Sequence, residues 1–324
     1  MSRPAARLEK VVLLGLAAVL LLLPLLITNP YYVNVINIVG LNTIIVVGLN
    51  LLIGYAGQIS LGHAAFFALG AYTSGILTAT YHFPPWPTLL LALAVTGLTA
   101  FLIGIPTLRL KGNYLVMATL GFNVIVNILI NQWDNRTGGP SGLPGIPPLA
   151  VGTFVFNNDT RAYCLIWSAA YLSILLAVNL VNSRVGRALR ALHASEIAAD
   201  SLGVDTEKYK IKVFVLSACL ASLAGSLYAH YLSFISPKTF NIFFSVELVT
   251  MVMIGGMGSI WGSLCGAFFL TPLPHLLHFF EEYMDVCYGL ILVLILIFLP
   301  EGLFIGIVNL SRRFRERLQT RQVR

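Results

Sequence analysis

The chain has 324 residues, of which 57% are hydrophobic and 10% charged. Mean hydropathy is +0.85, and with soluble proteins carrying roughly 25% charged residues, a soluble single domain is excluded. The 20 Lys and Arg against 13 Asp and Glu give a net charge of +7, but the positive residues cluster between apolar runs, which argues against a nucleic-acid-binding surface. Cys164, Cys219, Cys265 and Cys287 lie far apart with no C-x-x-C spacing. They suggest neither a disulfide framework nor a structural metal and read as packing residues.

A spanning helix needs roughly 20 apolar residues, because hydrocarbon offers its backbone no hydrogen-bonding partner. Ten segments meet that need, at 11 to 28, 34 to 54, 61 to 80, 88 to 107, 113 to 131, 162 to 181, 212 to 234, 244 to 260, 263 to 280 and 287 to 308. The eighth is the weakest, being interrupted by Gly255, Gly256 and Gly258. The expected fold is an all-α polytopic membrane protein of about ten transmembrane helices, some broken or re-entrant. Eight spans remain possible if two weak segments re-enter.

Cytoplasmic loops retain Lys and Arg, so their distribution sets the orientation. With ten spans and the N-terminus inside, 17 of the 20 fall on the cytoplasmic side and only Arg136, Arg161 and Lys238 outside. Both termini are therefore expected in the cytoplasm, the second as a basic tail at 311 to 324. The whole of residues 1 to 324 reads as one transmembrane domain with membrane lipid as its surroundings.

Two loops are long enough to carry function. The outer one, at 132 to 160, holds Thr137-Gly138-Gly139-Pro140-Ser141-Gly142 and Pro144-Gly145-Ile146-Pro147-Pro148. Such Gly and Pro density favours tight turns over regular structure, folded over the outer mouth. Its N-x-T triplets at Asn135 and Asn158 read as chance matches. The inner loop, at 182 to 212, predicts two short helices at the membrane face. Gly203 suits the left-handed position after a helix end, and Asp205 can cap the next helix.

Several separated motifs carry a resemblance. Gly54-Tyr55-Ala56-Gly57-Gln58-Ile59-Ser60-Leu61-Gly62-His63, followed by Ala64-Ala65-Phe66-Phe67 and Gly70-Ala71-Tyr72, is similar to the signature of LivM-type permease subunits of branched-chain amino acid ABC importers. In the same order follow Lys111-Gly112-Asn113-Tyr114, Ala118-Thr119-Leu120-Gly121-Phe122, Thr137-Gly138-Gly139, Gly186-Arg187-Ala188-Leu189-Arg190-Ala191, Gly255-Gly256-Met257-Gly258 and Pro300-Glu301-Gly302-Leu303-Phe304. The resemblance covers about residues 35 to 305. It implies a plasma (inner) membrane protein of a bacterium or archaeon that imports leucine, isoleucine or valine. The implied partners are a LivH-type sister permease, two cytoplasmic ATPase subunits and an extracytoplasmic substrate-binding protein.

On that reading the chain is not an enzyme and holds no cofactor, ATP and Mg being bound by the partner ATPases. In keeping with this, no G-x-x-x-x-G-K-[ST] phosphate cradle occurs in it. The resemblance also implies an ATPase-coupling loop of pattern E-A-A-x-x-x-G, here residues 186 to 203 with Gly186, Arg187, Arg190, Glu196, Ala198, Ala199 and Gly203. Ala198, Ala199 and Gly203 match the pattern. Glu196 stands one position early and Ile197 occupies its place, so Glu196 is expected to matter less. Urea and short amides are carried by similar permeases and remain alternative substrates, as does a stand-alone channel or secondary transporter.

Within the spans, Gly54, Gly57 and Gly62 are expected to break a helix where backbone lines a cavity. Gln58, Ser60 and His63 then either meet substrate or bond the backbone groups freed by the break. Asn123, Asn127 and Asn131, at i, i+4 and i+8, share one helix face and line either a wet pathway or another helix. Glu247 pairs, protonates, reaches the outer interface or meets a substrate ammonium. Gly258, Gly262 and Gly266, and Ser217, Ala221, Gly225 and Ala229, read as close-packing stripes. The runs at 53 to 67 and 254 to 269 are alike to within one residue, hinting at an internal repeat. His275, His278 and Glu282, with Glu281 and Asp285, have metal-ligand spacing, but no other span offers matching ligands, so they read as the wet end of a helix.

Overall fold

The computed structural model describes residue 15, residues 29–151, 154–156, 158–277 and 284–298, and residue 302. The expected first span apart from Gly15, the basic tail, and His278, Glu281 and Glu282 lie outside these residues. The described part of each of the other nine expected spans contains a helix; 287 to 308 is described only to Phe298 and at Gly302, which is not helical. We number the longer helices α1 Pro30–Asn50, α2 His63–Ala79, α3 Pro85–Thr107, α4 Asn113–Gln132, α5 Asp159–Asn182, α6 Arg184–Ala194, α7 Glu196–Ser201, α8 Thr206–Leu232, α9 Ile242–Gly255, α10 Ile260–Leu270, α11 Leu273–Leu277 and α12 Met284–Phe298. Among the described residues six helical stretches are long and apolar enough to cross a membrane: Pro30–Tyr55, α3, α4, α5, α8 and Ile260–Leu277. The chain is an all-α polytopic membrane protein.

The helix starts follow from local chemistry. Pro30 stands in the first turn of α1, where no N–H is needed, and the Asn29 side chain accepts from Tyr31 N. Ser183, Ser195, Asp205, Asn241 and Ser259 accept in the same way from the first turns of α6, α7, α8, α9 and α10. The two short helices expected in the inner loop are thus α6 and α7. Gly203 takes the left-handed conformation (φ +80°) beyond α7, as its position predicts.

α1 forms the centre of the molecule and is nearly all buried. It packs on α5, α8, α9 and α10. α2 and α8 pack closest of all, because small residues let their backbones meet. A Cβ on Gly70 would lie 2.2 Å from Ser222 O, and one on Gly225 2.0 Å from Phe67 O. Ser217, Ala221, Gly225 and Ala229 are thus a packing stripe, as are Gly262 and Gly266 in α10, which seat on Gly255 O and Met251 O of α9. α3 and α4 lie outermost and expose Leu90, Leu98, Phe101, Leu102, Ile125 and Leu129.

Two expectations are corrected. The eighth segment, 244 to 260, contains only the 14-residue α9, about 21 Å long and short of a roughly 30 Å hydrocarbon core. Gly256, at φ +117°, ends the helix, and Gly258 (φ +73°) keeps the chain out of helical conformation before α10. The 132 to 160 loop is also more regular than its Gly and Pro content suggests. β1 Leu143–Pro144 pairs antiparallel with β4 Phe234–Ile235, and β2 Ala150–Val151 with β3 Phe154–Val155. His230 fastens it further, with Nδ1 2.7 Å from Pro147 O and Nε2 2.8 Å from Ser74 Oγ.

Candidate functional site

The glycine-rich signature is a break between two membrane helices. α1 ends in one π turn, Leu51–Tyr55, and Gly57 N and Gln58 N still donate to Ile53 O and Leu52 O at 3.1 and 3.0 Å. The chain then leaves helical conformation until His63 opens α2. Gly57 has φ +68°, a region that favours glycine, and a Cβ there would lie 2.9 Å from Nδ1 of His193 in α6. Gly62 precedes α2 against Thr119 O.

A broken helix inside an apolar bundle must find partners for its freed polar groups. Ser60 Oγ accepts from Gly62 N at 3.3 Å, Thr119 Oγ1 from Leu61 N at 3.1 Å, and Ser245 Oγ from Ala64 N at 3.1 Å. His63 Nε2 lies 2.6 Å from Ser217 Oγ of α8, a side-chain partner rather than a freed backbone group. Two buried atoms at the break, His63 Nδ1 and Asn123 Oδ1, have no hydrogen-bond partner. Gly57, Gln58 and Ile59 face outward, Gly57 and Ile59 being exposed and Gln58 half-buried.

The asparagine face of α4 divides. Asn123 joins the break, donating to Ser245 Oγ at 3.0 Å and Leu61 O at 3.4 Å. Asn127 donates to Pro237 O and Phe240 O, each at 3.3 Å, and Asn131 to Asn127 Oδ1 at 3.0 Å, so these two fasten α4 to the turn after β4. Glu247 lies apart from the break, its carboxyl beside Tyr288 of α12. His275 Nδ1 sits 3.3 Å from the Tyr31 hydroxyl, and no group of three metal-ligating residues occurs among the described residues.

Sequence reasoning missed Asn50. Gly258 N donates to its Oδ1 at 2.9 Å, while its Nδ2 donates to Ser259 O and Ser263 Oγ, both at 2.7 Å. The segment between α9 and α10 is thereby stitched to the end of α1. Gly54 meets it directly, since a Cβ on Gly54 would lie 2.1 Å from Gly258 N. Gly302, of the closing Pro300–Phe304 motif, packs on Gly256. Three of the sequence motifs therefore converge on one spot, and the runs at 53 to 67 and 254 to 269 are both helix, glycine break, helix.

The signature break opens onto a cavity of about 270 Å³, whose walls are Ala56–Ile59, Lys111–Asn113, Leu115 and Val116 of α4, and Leu192, His193 and Glu196. Glu196 accepts from Lys210 Nζ at 2.6 Å and stands 3.5 Å from Lys111 Nζ. Burial pushes its pKa up, but the two lysines outweigh that and hold it below the ordinary carboxylate range. Glu196 thereby ties α7 to α8 and to the α3–α4 turn. Of the remaining coupling residues, Gly186 packs on Val181 O and Ala199 is buried. Arg187, Arg190, Ala198 and Gly203 are exposed, beside a solvent-facing Ile197 and Leu202.

Residues 31–298 match the family described as branched-chain amino acid transport system, permease component. The chain is 34% identical over 260 residues to the high-affinity branched-chain amino acid transport system permease protein LivM of Salmonella typhimurium, covering 73% of this chain and 61% of that protein. It is 27% identical to the LivH permease protein of the same organism, over 55% of this chain and 60% of that one. The autoinducer 2 import system permease protein LsrC of Escherichia coli is 31% identical over 69% of this chain and 65% of its own length. The chain thus spans about three fifths of the length of the curated LivM and LivH relatives it matches. No solved structure matches it. With its signature break and Gly302 brought together in a polytopic helical membrane protein, the chain belongs to the branched-chain amino acid transport permease family.

Proposed function

We propose that the chain is the transmembrane permease subunit of an ATP-binding-cassette importer that moves leucine, isoleucine and valine into the cytoplasm. Its setting is the plasma membrane of a bacterium or archaeon. It works with a LivH-type sister permease, two cytoplasmic ATPase subunits that bind ATP and Mg, and an extracytoplasmic binding protein. The observation that carries this reading is the signature break standing against the α6–α7 segment at Gly57 and His193. A movement imposed on α6 and α7 by an ATPase would reach the membrane-embedded break through one contact.

On this reading 182 to 212 is the cytoplasmic coupling loop, 132 to 160 is extracytoplasmic, and both termini, with the tail at 311 to 324, are cytoplasmic. The even number of crossings that this orientation requires is ten, or eight with α9 as one of two re-entrant segments. The break and Asn123 border the translocation route. Gly186, Arg187, Arg190, Ala198, Ala199 and Gly203 shape the ATPase-facing side, with Ile197 and Leu202 as its apolar contacts.

The test is reconstitution of the chain with the sister permease, ATPases and binding protein in proteoliposomes. ATP-dependent uptake of radiolabelled leucine, isoleucine and valine is expected, with none of urea or a short amide. Uptake of urea alone, or leucine uptake without the ATPases, would overturn the reading. Reporter fusions at Arg109, Asn157, Asp205 and the C-terminus should read inside, outside, inside and inside.

A further inference from the structure

The cavity beneath the signature break has a chemistry of its own. At about 270 Å³ it is smaller than the roughly 300–1,000 Å³ sites of drug-sized ligands, and so is sized for a small metabolite. Ile59, Leu115, Val116 and Leu192 give it an apolar wall. At its rim α4 begins at Asn113, after a Gly112 that supplies no side-chain cap, so the positive end of a 20-residue helix stands at the cavity. Lys111 stands beside it.

The acidic partner is placed to be shared. One oxygen of Glu196, Oε1, is committed to the buried Lys210 at 2.6 Å. The other, Oε2, has a looser 3.5 Å contact with Lys111, whose side chain is 69% exposed. A surface pair of this length contributes little and is easily opened. A ligand that presents a carboxylate to Lys111 and the α4 N-terminus, and an ammonium to Glu196 Oε2, would exchange that loose pair for two ionic contacts. With an aliphatic group on the apolar wall, the ligand this describes is a free aliphatic α-amino acid.

We infer that the cavity is a binding site for an aliphatic α-amino acid zwitterion, reached from the end of the molecule that carries α6 and α7. The inference rests on the importer reading for its choice of ligand and deepens it. Under that reading the site faces the cytoplasm, where imported product accumulates. An occupant would bridge the break, the α3–α4 turn and the start of α7, and so hold together the parts that have to move during transport.

The experiment is equilibrium binding of radiolabelled L-leucine to the purified full chain in lipid nanodiscs. Saturable binding is expected, weakened about tenfold in Lys111→Gln by loss of the charged contact. In Val116→Trp, which fills the cavity from the side of α4, it should be lost. L-leucinamide, which lacks the carboxylate, and 4-methylpentanoate, which lacks the ammonium, should compete at least about tenfold more weakly than leucine. Absence of saturable binding, binding unchanged in both variants, or competition by either analogue equal to that of leucine would overturn the inference. Because it is read without partners, a negative result leaves leucine uptake by the reconstituted importer intact, whereas failure of the importer reading is seen in uptake alone.

Discussion

The two glycine breaks are built alike and finished differently. Both follow a membrane helix, both contain a left-handed glycine, at Gly57 and Gly258, and the two touch where Gly54 meets Gly258. Around the second, the backbone is braced on its inner side: Asn50 satisfies Gly258 N and Ser259 O, Gly255 seats on Gly262, and Gly302 covers Gly256, while the Met257 side chain is exposed. At the first, Ser60 and Thr119 satisfy the inner side, but Gly57, Gln58 and Ile59 look into a cavity of about 270 Å³. The same local sequence device serves as a joint braced by Asn50 and Gly302 in one place and as the edge of a cavity in the other. What separates them is the supply of neighbours.

The largest effect is expected where the two breaks share an atom-to-atom contact. Gly54→Ala would drive a Cβ to within 2.1 Å of both Gly258 N and Asn50 Oδ1, and neither can retreat cheaply. A loss of about 3 kcal/mol is expected. Thermal unfolding of the purified variant in detergent would check it, and wild-type stability would show that the breaks are not rigidly abutted.

Next comes Asn50→Leu, which leaves the part-buried Gly258 N–H without its partner and removes the amide bonds to Ser259 O and Ser263 Oγ. It should cost about 2 kcal/mol in the same measurement. Gly57→Ala touches the open break alone. The left-handed backbone costs about 1 kcal/mol, and the new methyl presses on His193. Membrane insertion should be normal and uptake severely reduced, and normal uptake would mean the contact with α6 is incidental.

The smallest effect concerns the wall of the cavity. Because the folded Glu196 carboxyl has a depressed pKa, its contribution is complete above the usual carboxylate range and is lost as pH falls through the lower, folded value. Hydrogen exchange of residues 195–204 should therefore be pH-insensitive near neutrality, beyond the intrinsic rate, and show increased opening in acid. Glu196→Gln should bring that opening to neutral pH, by about fivefold.

How much of this was legible depended on sequence distance. Span positions followed from apolar length, because lipid leaves the backbone only one solution. Gly203 and Asp205 were readable because a helix end and a cap are settled within a few residues. Asn50 was not, since an amide in an apolar helix announces only that it needs partners, and its partners lie more than 200 positions away. The bonds that Thr119 and Ser245 make to the break were hidden for the same reason. Glu196 was judged by its place in a pattern, whereas its role comes from Lys111 and Lys210, which belong to other elements. Glu247 was read from its cost of burial, a quantity that does not say which helix will stand beside it.

α8 runs 27 residues from Thr206 to Leu232 without interruption, about 40 Å of continuous helix. At one end Lys210 grips the carboxylate that opens α7, and at the other the chain passes through Ser233 straight into β4, which is laced to β1 of the opposite loop. A helix is stiff along its axis, so the α7 contact at Lys210 and the β1–β4 pair are joined by one unbroken element, and any displacement along that axis would act on both together.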